Sequence, residues 1–278
     1  LERVFSSFKP DVVFHAAAYK HVPMQENHPW EAILTNIQGT LNLINTAEDY
    51  NVNRFVLVST DKAVNPTNIM GATKRIAEKL VQSKAVDSNI KYMAVRFGNV
   101  IGSSGSVIPT FQEQIRNGGP ITLTDPGMER YFMSISEAAQ LILQTGAMGS
   151  DGEIYVLDMG NPVNIKDIAY ELIRLSGLEP EKDISIEYIG SRPGEKMFEE
   201  LKTKEEDIVQ TNNEKIMMMK NGQGYNWGNI LEEVSVIISS AKKYNTSVII
   251  NSLKDFIPEY SPDISLDKIK INKSSIVK

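Results

Sequence analysis

Short apolar runs alternate with longer amphipathic stretches along the first part of the chain. Three runs, at residues 11–14, 55–58 and 92–97, are rich in β-branched and aromatic residues and predict buried parallel strands. Between them, residues 31–50 carry apolar side chains at helical spacing, and residues 72–83 predict a second helix. This strand–helix–strand–helix–strand order is typical of a parallel α/β sheet joined by right-handed crossovers.

Beyond residue 106 the predicted elements become shorter and their order becomes less regular. Helices are expected at residues 107–116, 136–145, 164–176 and 229–242, and strands at residues 121–124, 153–159, 184–189 and 217–219. Either Ser134 or Ser136 would suit the N-cap of the helix at 136–145, because a serine hydroxyl accepts from free backbone N–H groups.

Chemically active side chains follow the second predicted strand. Thr60, Asp61 and Lys62 come directly after it, and Lys74 is placed in the first turn of the next helix. Ligands of open parallel sheets bind beyond the carboxyl ends of the strands. A hydroxyl, a carboxylate and two amines at one such corner have the composition of an acid–base site. A polar loop with unrelated surface charges is the less favoured alternative, because these charges stand at a strand end.

Other polar or small residues leave two interpretations open. The small residues 16–18 follow the first strand and permit close approach of a flat or phosphate-bearing ligand, or tight packing of a helix on the sheet. Asn36 lies among apolar neighbours and is either a packing residue or a ligand contact. Residues 98–106 offer free backbone N–H groups to an anion or form a plain connector. Arg192, in a Pro/Gly-shaped loop, suits a phosphate clamp or a solvated loop.

The composition narrows the class of protein. The chain has 278 residues, is 41% hydrophobic and 23% charged, and carries a net charge of −6, which disfavours nucleic acid as its main partner. It has no cysteine, so disulfides and thiolate chemistry are excluded and a cytoplasmic location is compatible. Its three histidines lack the spacing and acidic companions of a metal site, and no metal is expected.

From the way the sequence begins, we expect it to be a fragment of a longer protein. The chain opens at Leu1 inside a helix-like stretch, and its N-terminal region has no Gly-x-Gly-x-x-Gly dinucleotide motif. We therefore expect the first strands of the sheet to lie upstream of Leu1.

Four separated motifs resemble the extended short-chain dehydrogenase/reductases that act on nucleotide sugars. In chain order they are STDK at 59–62, GATK at 71–74, RFGNV at 96–100 and RPGEK at 192–196. Within that superfamily the sequence is most similar to the UDP-N-acetylglucosamine 4,6-dehydratases of bacterial polysaccharide and glycan biosynthesis. The resemblance covers roughly residues 10–260.

The resemblance implies a two-lobed α/β fold. A Rossmann-like, doubly wound parallel sheet, truncated at its start, would bind NAD or NADP and comprise residues 1–103 and about 128–148. A smaller, discontinuous α/β lobe, of residues 104–127 and about 149–278, would bind the UDP-sugar. A homo-oligomer is also implied, as is the cytoplasm, with a membrane involved only if an upstream segment carries transmembrane helices.

The resemblance also implies roles for the corner residues in a dehydration that yields a 4-keto-6-deoxy sugar. Thr60 would hydrogen-bond the C4 oxygen, Asp61 would protonate the leaving C6 hydroxyl, and Lys62 would take the C5 proton. As a base, Lys62 needs a lowered pKa. Lys74 would bind the nicotinamide ribose.

Met70 departs from the superfamily pattern. It stands where a tyrosine normally deprotonates the C4 hydroxyl, and a thioether is a poor proton acceptor. A subgroup of these dehydratases carries Met here, so the C4 base would be Asp61, or a water relayed through Thr60. A weakened catalyst is the alternative.

The resemblance further implies two sets of binding residues. Around the cofactor they are Ala16, Ala17, Ala18, Asn36, Ser59 and Lys74, and around the substrate Lys20, Asn99, Arg130, Arg192 and Glu195. Two other functions remain open: a nucleotide-sugar 4-epimerase, which Met70 and the Asp61–Lys62 pair disfavour, and a non-catalytic NAD- or nucleotide-sugar-binding protein.

Overall fold

The structure is a computed structural model and describes residues 1–150, 152–203, 206–219 and 225–262. Its helices are α1 Glu2–Phe8, α2 Val22–Asn27, α3 Pro29–Ala32, α4 Gly39–Asp49, α5 Ile69–Val86, α6 Val107–Arg116, α7 Ile135–Met148, α8 Ile165–Leu175, α9 Trp227–Lys242 and α10 Thr246–Phe256. A π-helical segment, Ile33–Gln38, joins α3 to α4, and a 3-10 turn spans Asp61–Ala63.

The strands are β1 Val12–His15, β2 Arg54–Val58, β3 Lys91–Arg96, β4 Asn99–Val100, β5 Ile121–Leu123, β6 Glu129–Arg130, β7 Phe132–Met133, β8 Glu153–Leu157, β9 Val163–Asn164, β10 Ile186–Tyr188, β11 Ile208–Gln210 and β12 Ile216–Met219. The central sheet has the order β1-β2-β3-β8-β12-β11. Its first four strands are parallel, and β12 and β11 continue it in antiparallel fashion. The predicted parallel sheet is confirmed.

Helices cover both faces of the central sheet, as the continuous apolar character of its strands requires. On one face, α4, α5, α9 and α10 share a core in which Ile37, Phe55 and Leu80 are fully buried. On the other face, α7 packs against Val56 and Met93. Because helices lie on both faces, the structure is doubly wound, and the predicted fold class is confirmed.

A second, smaller core is formed by elements that lie outside the central sheet. It contains Phe111 of α6, Ile121 of β5 and Ile173 of α8, all buried. The strands β5 and β10 form a parallel pair within this unit. These elements form a small α/β unit outside the central sheet.

The predicted lobe boundary at residue 149 differs from the observed topology. Strand β8 pairs with β3 inside the central sheet, and β12 and β11 extend the same sheet. Helices α9 and α10 pack on its helical layer rather than on the small core. The reason is that β8 is apolar on both faces, with Val156 buried on one face and Tyr155 and Leu157 on the other, so it is an interior strand. Residues 263–278 of the predicted lobe lie outside the described residues.

Candidate active site

The corner after β2 is held against the neighbouring strand by backbone hydrogen bonds. The N–H of Ser59 donates to the carbonyl oxygen of Val95 at 2.7 Å, and that of Asp61 to Phe97 at 3.0 Å. Thr60 has extended backbone angles and caps the following 3-10 turn, its hydroxyl accepting from the N–H of Lys62 at 3.4 Å. The turn thus fixes Thr60, Asp61 and Lys62 beyond the carboxyl end of the sheet.

Helix α5 packs directly on this turn because of Gly71. A Cβ atom at Gly71 would lie 2.1 Å from the carbonyl oxygen of Lys62, a separation that no side chain tolerates. Asn68 caps the helix by accepting from the N–H of Gly71 at 2.7 Å. Since α5 begins at Ile69, Lys74 lies in its second turn rather than in the first turn predicted from the sequence.

Two side chains of the corner donate to one carboxylate oxygen of Asp61. The Lys62 ammonium donates to Oδ1 of Asp61 at 3.0 Å, and the Thr60 hydroxyl donates to the same atom at 2.9 Å. Asp61 is fully buried, and its Oδ2 has no hydrogen-bond partner among the described residues. The structure therefore brings the hydroxyl, the carboxylate and the amine together, with one carboxylate oxygen left to accept or donate a proton.

The charge state of Lys62 differs from the one that the base role requires. Burial by itself lowers the pKa of the amine, but Asp61 and Glu199 outweigh it and raise the pKa above its usual value, with Arg130 opposing them. Without a ligand, Lys62 is thus an ammonium. The lowered pKa that the base role requires is therefore not found, because two carboxylates lie beside the amine.

Glu199 is a member of this site that the sequence analysis missed. Its Oε1 lies 3.4 Å from the Lys62 ammonium and 3.9 Å from Nε of Arg130. It follows the RPGEK motif by only a few residues, but nothing in its local sequence separates it from the exposed Glu200 beside it. Only the fold brings it to the corner.

Lys74 and Met70 lie one helical turn apart on α5 and are both buried. Burial lowers the pKa of the Lys74 amine to about 8, although Glu78 opposes the change. In the described part of the chain the Lys74 ammonium forms no hydrogen bond or ion pair, so it is available to a ligand. The Met70 side chain offers no proton acceptor at its position.

Ser59 points away from the acid–base corner into a buried ionic network. Its hydroxyl donates to Glu78 at 2.6 Å, and the Arg96 guanidinium forms two parallel hydrogen bonds with the same carboxylate, each 2.8 Å. Arg96 also contacts Glu206 at 3.0 Å, and Arg75 contacts Glu78 at 3.0 Å. These contacts engage the Ser59 hydroxyl within the protein and anchor α5 to β3.

The segment after β1 is placed by Asn36. The side-chain oxygen of Asn36 accepts from the N–H of Tyr19 at 2.8 Å, while its NH₂ group donates to the carbonyl of Tyr19 and to the hydroxyl of Thr73. Both donor hydrogens are therefore used inside the protein, which favours a positioning role. Asn36 lies in the π-helical segment, a local widening that is frequent at functional sites.

Small residues line the segment that Asn36 holds. Ala16 and Ala17 are exposed and Ala18 is half-buried, so no bulky side chain covers the end of β1. His15 precedes them; burial, and to a smaller extent Lys74, lowers its pKa to about 4, and its Nδ1 has no hydrogen-bond partner among the described residues. A bare segment beside an unpaired ammonium and a neutral imidazole fits a flat ligand that carries hydroxyl groups.

The predicted substrate residues fall into two groups. Asn99 accepts from Lys62 at 3.3 Å, and Arg130 lies 3.9 Å from Glu195, so these three adjoin the corner. Arg130 also donates to the carbonyls of Glu129, Lys196 and Met197, which ties the segment after β10 to β6. Lys20 and Arg192 are exposed, and no contact joins their side chains to the corner in the described residues.

The described residues contain neither a metal-binding cluster nor a helix able to cross a membrane. They contain no group of three or more histidines and carboxylates arranged to hold a metal ion. None of their helices combines the length and the apolar character that crossing a bilayer requires.

The chain matches, over residues 1–221, the profile of the family described as polysaccharide biosynthesis protein. It is 58% identical over 214 residues to the capsular polysaccharide biosynthesis protein CapD of Staphylococcus aureus, an alignment that covers 77% of this chain and 36% of CapD. It is 40% identical over 199 residues to a UDP-glucose 4-epimerase of Rickettsia bellii, covering 70% of this chain and 57% of that protein. The chain therefore spans only part of the length of these curated relatives.

A solved structure shares both sequence and fold with the chain. Pen from Bacillus thuringiensis is 40% identical, with a TM-score of 0.72 over 78% of this chain and 69% of Pen. Residues 1–221, which match the family profile, include the central sheet and the motif-bearing corner. The chain belongs to the polysaccharide biosynthesis protein family and has the Rossmann-like fold of the extended short-chain dehydrogenase/reductases.

Proposed function

We propose that the protein is an NAD- or NADP-dependent 4,6-dehydratase of a UDP-N-acetylhexosamine, UDP-N-acetylglucosamine in particular, acting in bacterial surface polysaccharide or glycan synthesis. One observation carries the proposal: Asp61 and Lys62 lie in contact at the end of β2, with Thr60 bonded to the same carboxylate. Eliminating water needs an acid for the leaving hydroxyl and a base for the neighbouring C–H, and this pair supplies both. Membership of a polysaccharide biosynthesis family supports the pathway.

The cofactor would bind along the bare segment after β1 and beside Lys74. Bound there, NAD or NADP would supply the reversible two-electron oxidation that turns C4 into a ketone and later reduces C6. The unpaired Lys74 ammonium suits a ribose hydroxyl, and residues 16–18 leave room for the backbone to approach the ligand. Ser59 and Asn36 would support this site through their contacts with Glu78 and Tyr19.

The proton steps follow from the contacts of Thr60. Its hydroxyl donates to Asp61, so a proton leaving the C4 hydroxyl can pass through Thr60 to Asp61. This route needs no tyrosine and accounts for Met70 at the usual tyrosine position. Asp61 then holds the proton that the C6 hydroxyl needs in order to leave as water.

Lys62 would complete the elimination. It first releases one proton to solvent, and its nitrogen lone pair then takes the proton from C5. The electron pair of the C5–H bond forms the C5–C6 double bond as the C6 hydroxyl leaves with the Asp61 proton. The elimination leaves Asp61 as a carboxylate and Lys62 as an ammonium. Lys62 would then give a proton to C5 as C6 is reduced, and would regain from solvent the proton that it released at the start.

Arg130, Asn99 and Glu195 would form the side of the pocket that binds the nucleotide sugar. Arg192 and Lys20, which are exposed, would bind its diphosphate. Arginine suits this task because its guanidinium binds phosphate in a bidentate manner. A homo-oligomer remains part of this proposal.

A nucleotide-sugar 4-epimerase is the second candidate, since one relative that is 40% identical bears that name. An epimerase needs no group to expel the C6 hydroxyl. The pair of buried Asp61 and half-buried Lys62 therefore favours the dehydratase, and Met70 lacks the proton-accepting group of the usual epimerase tyrosine.

The test is an incubation of the complete protein that contains this chain, loaded with NAD or NADP, with UDP-N-acetylglucosamine. The proposal expects a product that has lost one water, and Lys62→Met is expected to abolish its formation. Glu200→Gln is the matched control, because Glu200 contacts Lys196 and Asn65 outside the corner. An isomer of unchanged mass would instead establish the epimerase.

A further inference from the structure

Glu199 reaches the acid–base corner from a remote part of the chain. Its side chain is only 3% exposed, so solvent and salt screen its charge weakly. One carboxylate oxygen, Oε1, faces both Lys62 and Arg130, at 3.4 and 3.9 Å. The other, Oε2, is buried without a hydrogen-bond partner among the described residues. A carboxylate placed in this way acts on the amine mainly through its charge.

Charged groups face the Lys62 amine from three elements. Asp61 lies on its own turn, Arg130 on β6, and Glu199 in the segment after β10, while the neutral amide of Asn99 contacts it from β4. During the proposed reaction Asp61 becomes neutral when it takes the C4 proton. Glu199 is then the remaining anion beside the amine in the described structure.

We propose that Glu199 is a positioning residue that holds Lys62 in its protonated form, so that its charge sets the pH range in which Lys62 acts as a base. Arg130, whose Nε lies 3.9 Å from the same carboxylate oxygen, opposes this effect. The inference rests on the proposed function for the role of Lys62, but the effect on the amine itself does not require turnover.

The experiment measures the protonation of Lys62 directly. The complete protein, without substrate, is treated with trace acetic anhydride over a range of pH, and acetylation at Lys62 is followed by mass spectrometry, because only the neutral amine reacts. An opposite charge within about 4–6 Å shifts a pKa by about 1–3 units. In Glu199→Gln the midpoint for Lys62 is therefore expected to fall by about 1–3 pH units.

Three variants separate charge from structure. Glu199→Asp keeps the charge and is expected to retain most of the wild-type midpoint. Glu200→Gln removes the adjacent exposed carboxylate and is expected to leave the midpoint unchanged. Glu199→Met removes the same charge with an apolar side chain of similar length, and it gives the same test if the glutamine variant does not fold.

Turnover adds a second readout. The rising limb of the pH profile for dehydration is expected to move to lower pH in Glu199→Gln by the same amount as the labelling midpoint. An unchanged midpoint in folded Glu199→Gln and Glu199→Met proteins would overturn the inference. A lowered midpoint in a protein that releases no water from UDP-sugars would support the inference and reject the dehydratase.

Discussion

Glu78 and Arg96 form a bidentate ion pair, two hydrogen bonds of 2.8 Å each, in which neither side chain has any exposed surface. The pair joins α5, which carries Lys74, to β3, which runs beside the strand that carries Asp61. Ser59 donates to the same carboxylate. The two halves of the candidate site are therefore braced against each other by one buried carboxylate.

Removing one partner of this ion pair is expected to destabilise the folded protein strongly. Arg96→Met leaves the buried Glu78 charge with fewer partners, and such a loss costs about 3–5 kcal/mol. Urea unfolding at pH 7 measures the free energy. Arg174→Met is the control, because its ion pair with Glu171 is exposed and worth about 0–1 kcal/mol. Equal stability of the two variants would contradict the structure.

The same carboxylate makes stability depend on acid pH. Burial would raise the pKa of Glu78, but Arg96, followed by Arg75 and Ser59, lowers it from 4.5 to about 2. A carboxyl whose pKa is lower in the folded state stabilises it above the unfolded pKa. We expect this stability to be present above pH 4.5 and to be lost as the pH falls towards 2. The urea midpoints of the wild type and of Glu78→Gln, plotted against pH over this range, measure the contribution of Glu78. Two parallel plots would refute the prediction.

Lys74 is expected to make cofactor binding depend on alkaline pH. The pKa of its amine is about 8, so its positive charge is lost as the pH rises through that value. If the ammonium binds the ribose, the affinity for NAD or NADP falls between pH 7 and 9. Calorimetric titration checks this, and Lys74→Gln is expected to bind weakly with little pH dependence in that range. A wild-type affinity that does not change with pH would exclude the role.

Gly71 is expected to tolerate no side chain. The Cβ atom of Gly71→Ala would meet the Lys62 carbonyl oxygen at 2.1 Å, so α5 or the 3-10 turn must move. Overpacking of this kind costs about 1–3 kcal/mol, and displacement of the turn is expected to lower kcat. Gly177→Ala serves as the comparison: it has open space, so its cost arises from its positive φ alone. If Gly71→Ala leaves kcat unchanged, the turn is not held as described.

Asp61 is expected to be indispensable for the elimination step. Asp61→Asn keeps the shape of the buried side chain but cannot hold the C4 proton or deliver it to the C6 hydroxyl. Losing a general acid reduces rates by about 10²–10⁴-fold. Single-turnover product formation measures the loss, with melting temperature as the check on folding. A folded variant of near-normal rate would assign the acid to another group.

The local sequence predicts the parallel strands β2 and β3 of the central sheet, but not which later strands extend it. β2 and β3 are apolar on both faces, which predicts interior parallel strands and, beyond their ends, a ligand site. The placement of β8 in the same sheet depends on its pairing with β3, a contact between distant residues that no local pattern records. For the same reason, the sequence did not predict that β8, β11 and β12 belong to the central sheet, whereas α8 packs in the small core.

In the candidate site, too, residues that are adjacent in the chain could be predicted to meet, and distant ones could not. Thr60, Asp61 and Lys62 are adjacent in the chain, so their meeting at one corner follows from a single turn. Glu199 reaches this corner through a tertiary contact and, together with Asp61, raises the pKa of Lys62. The motif itself supplies Asp61, but the second carboxylate beside Lys62 comes from more than a hundred residues away and could not be predicted from the motif.

The most direct test of the account is NMR of the product formed from UDP-N-acetylglucosamine in D₂O by the complete, cofactor-loaded protein. The account predicts a 4-keto-6-deoxy sugar with deuterium at C5, because Lys62 removes the C5 proton and exchanges it with solvent. The same spectrum would also show whether the configuration at C5 is retained or inverted. Unchanged substrate, or a C4 epimer that has lost no water, would contradict the assignment of Asp61 and Lys62.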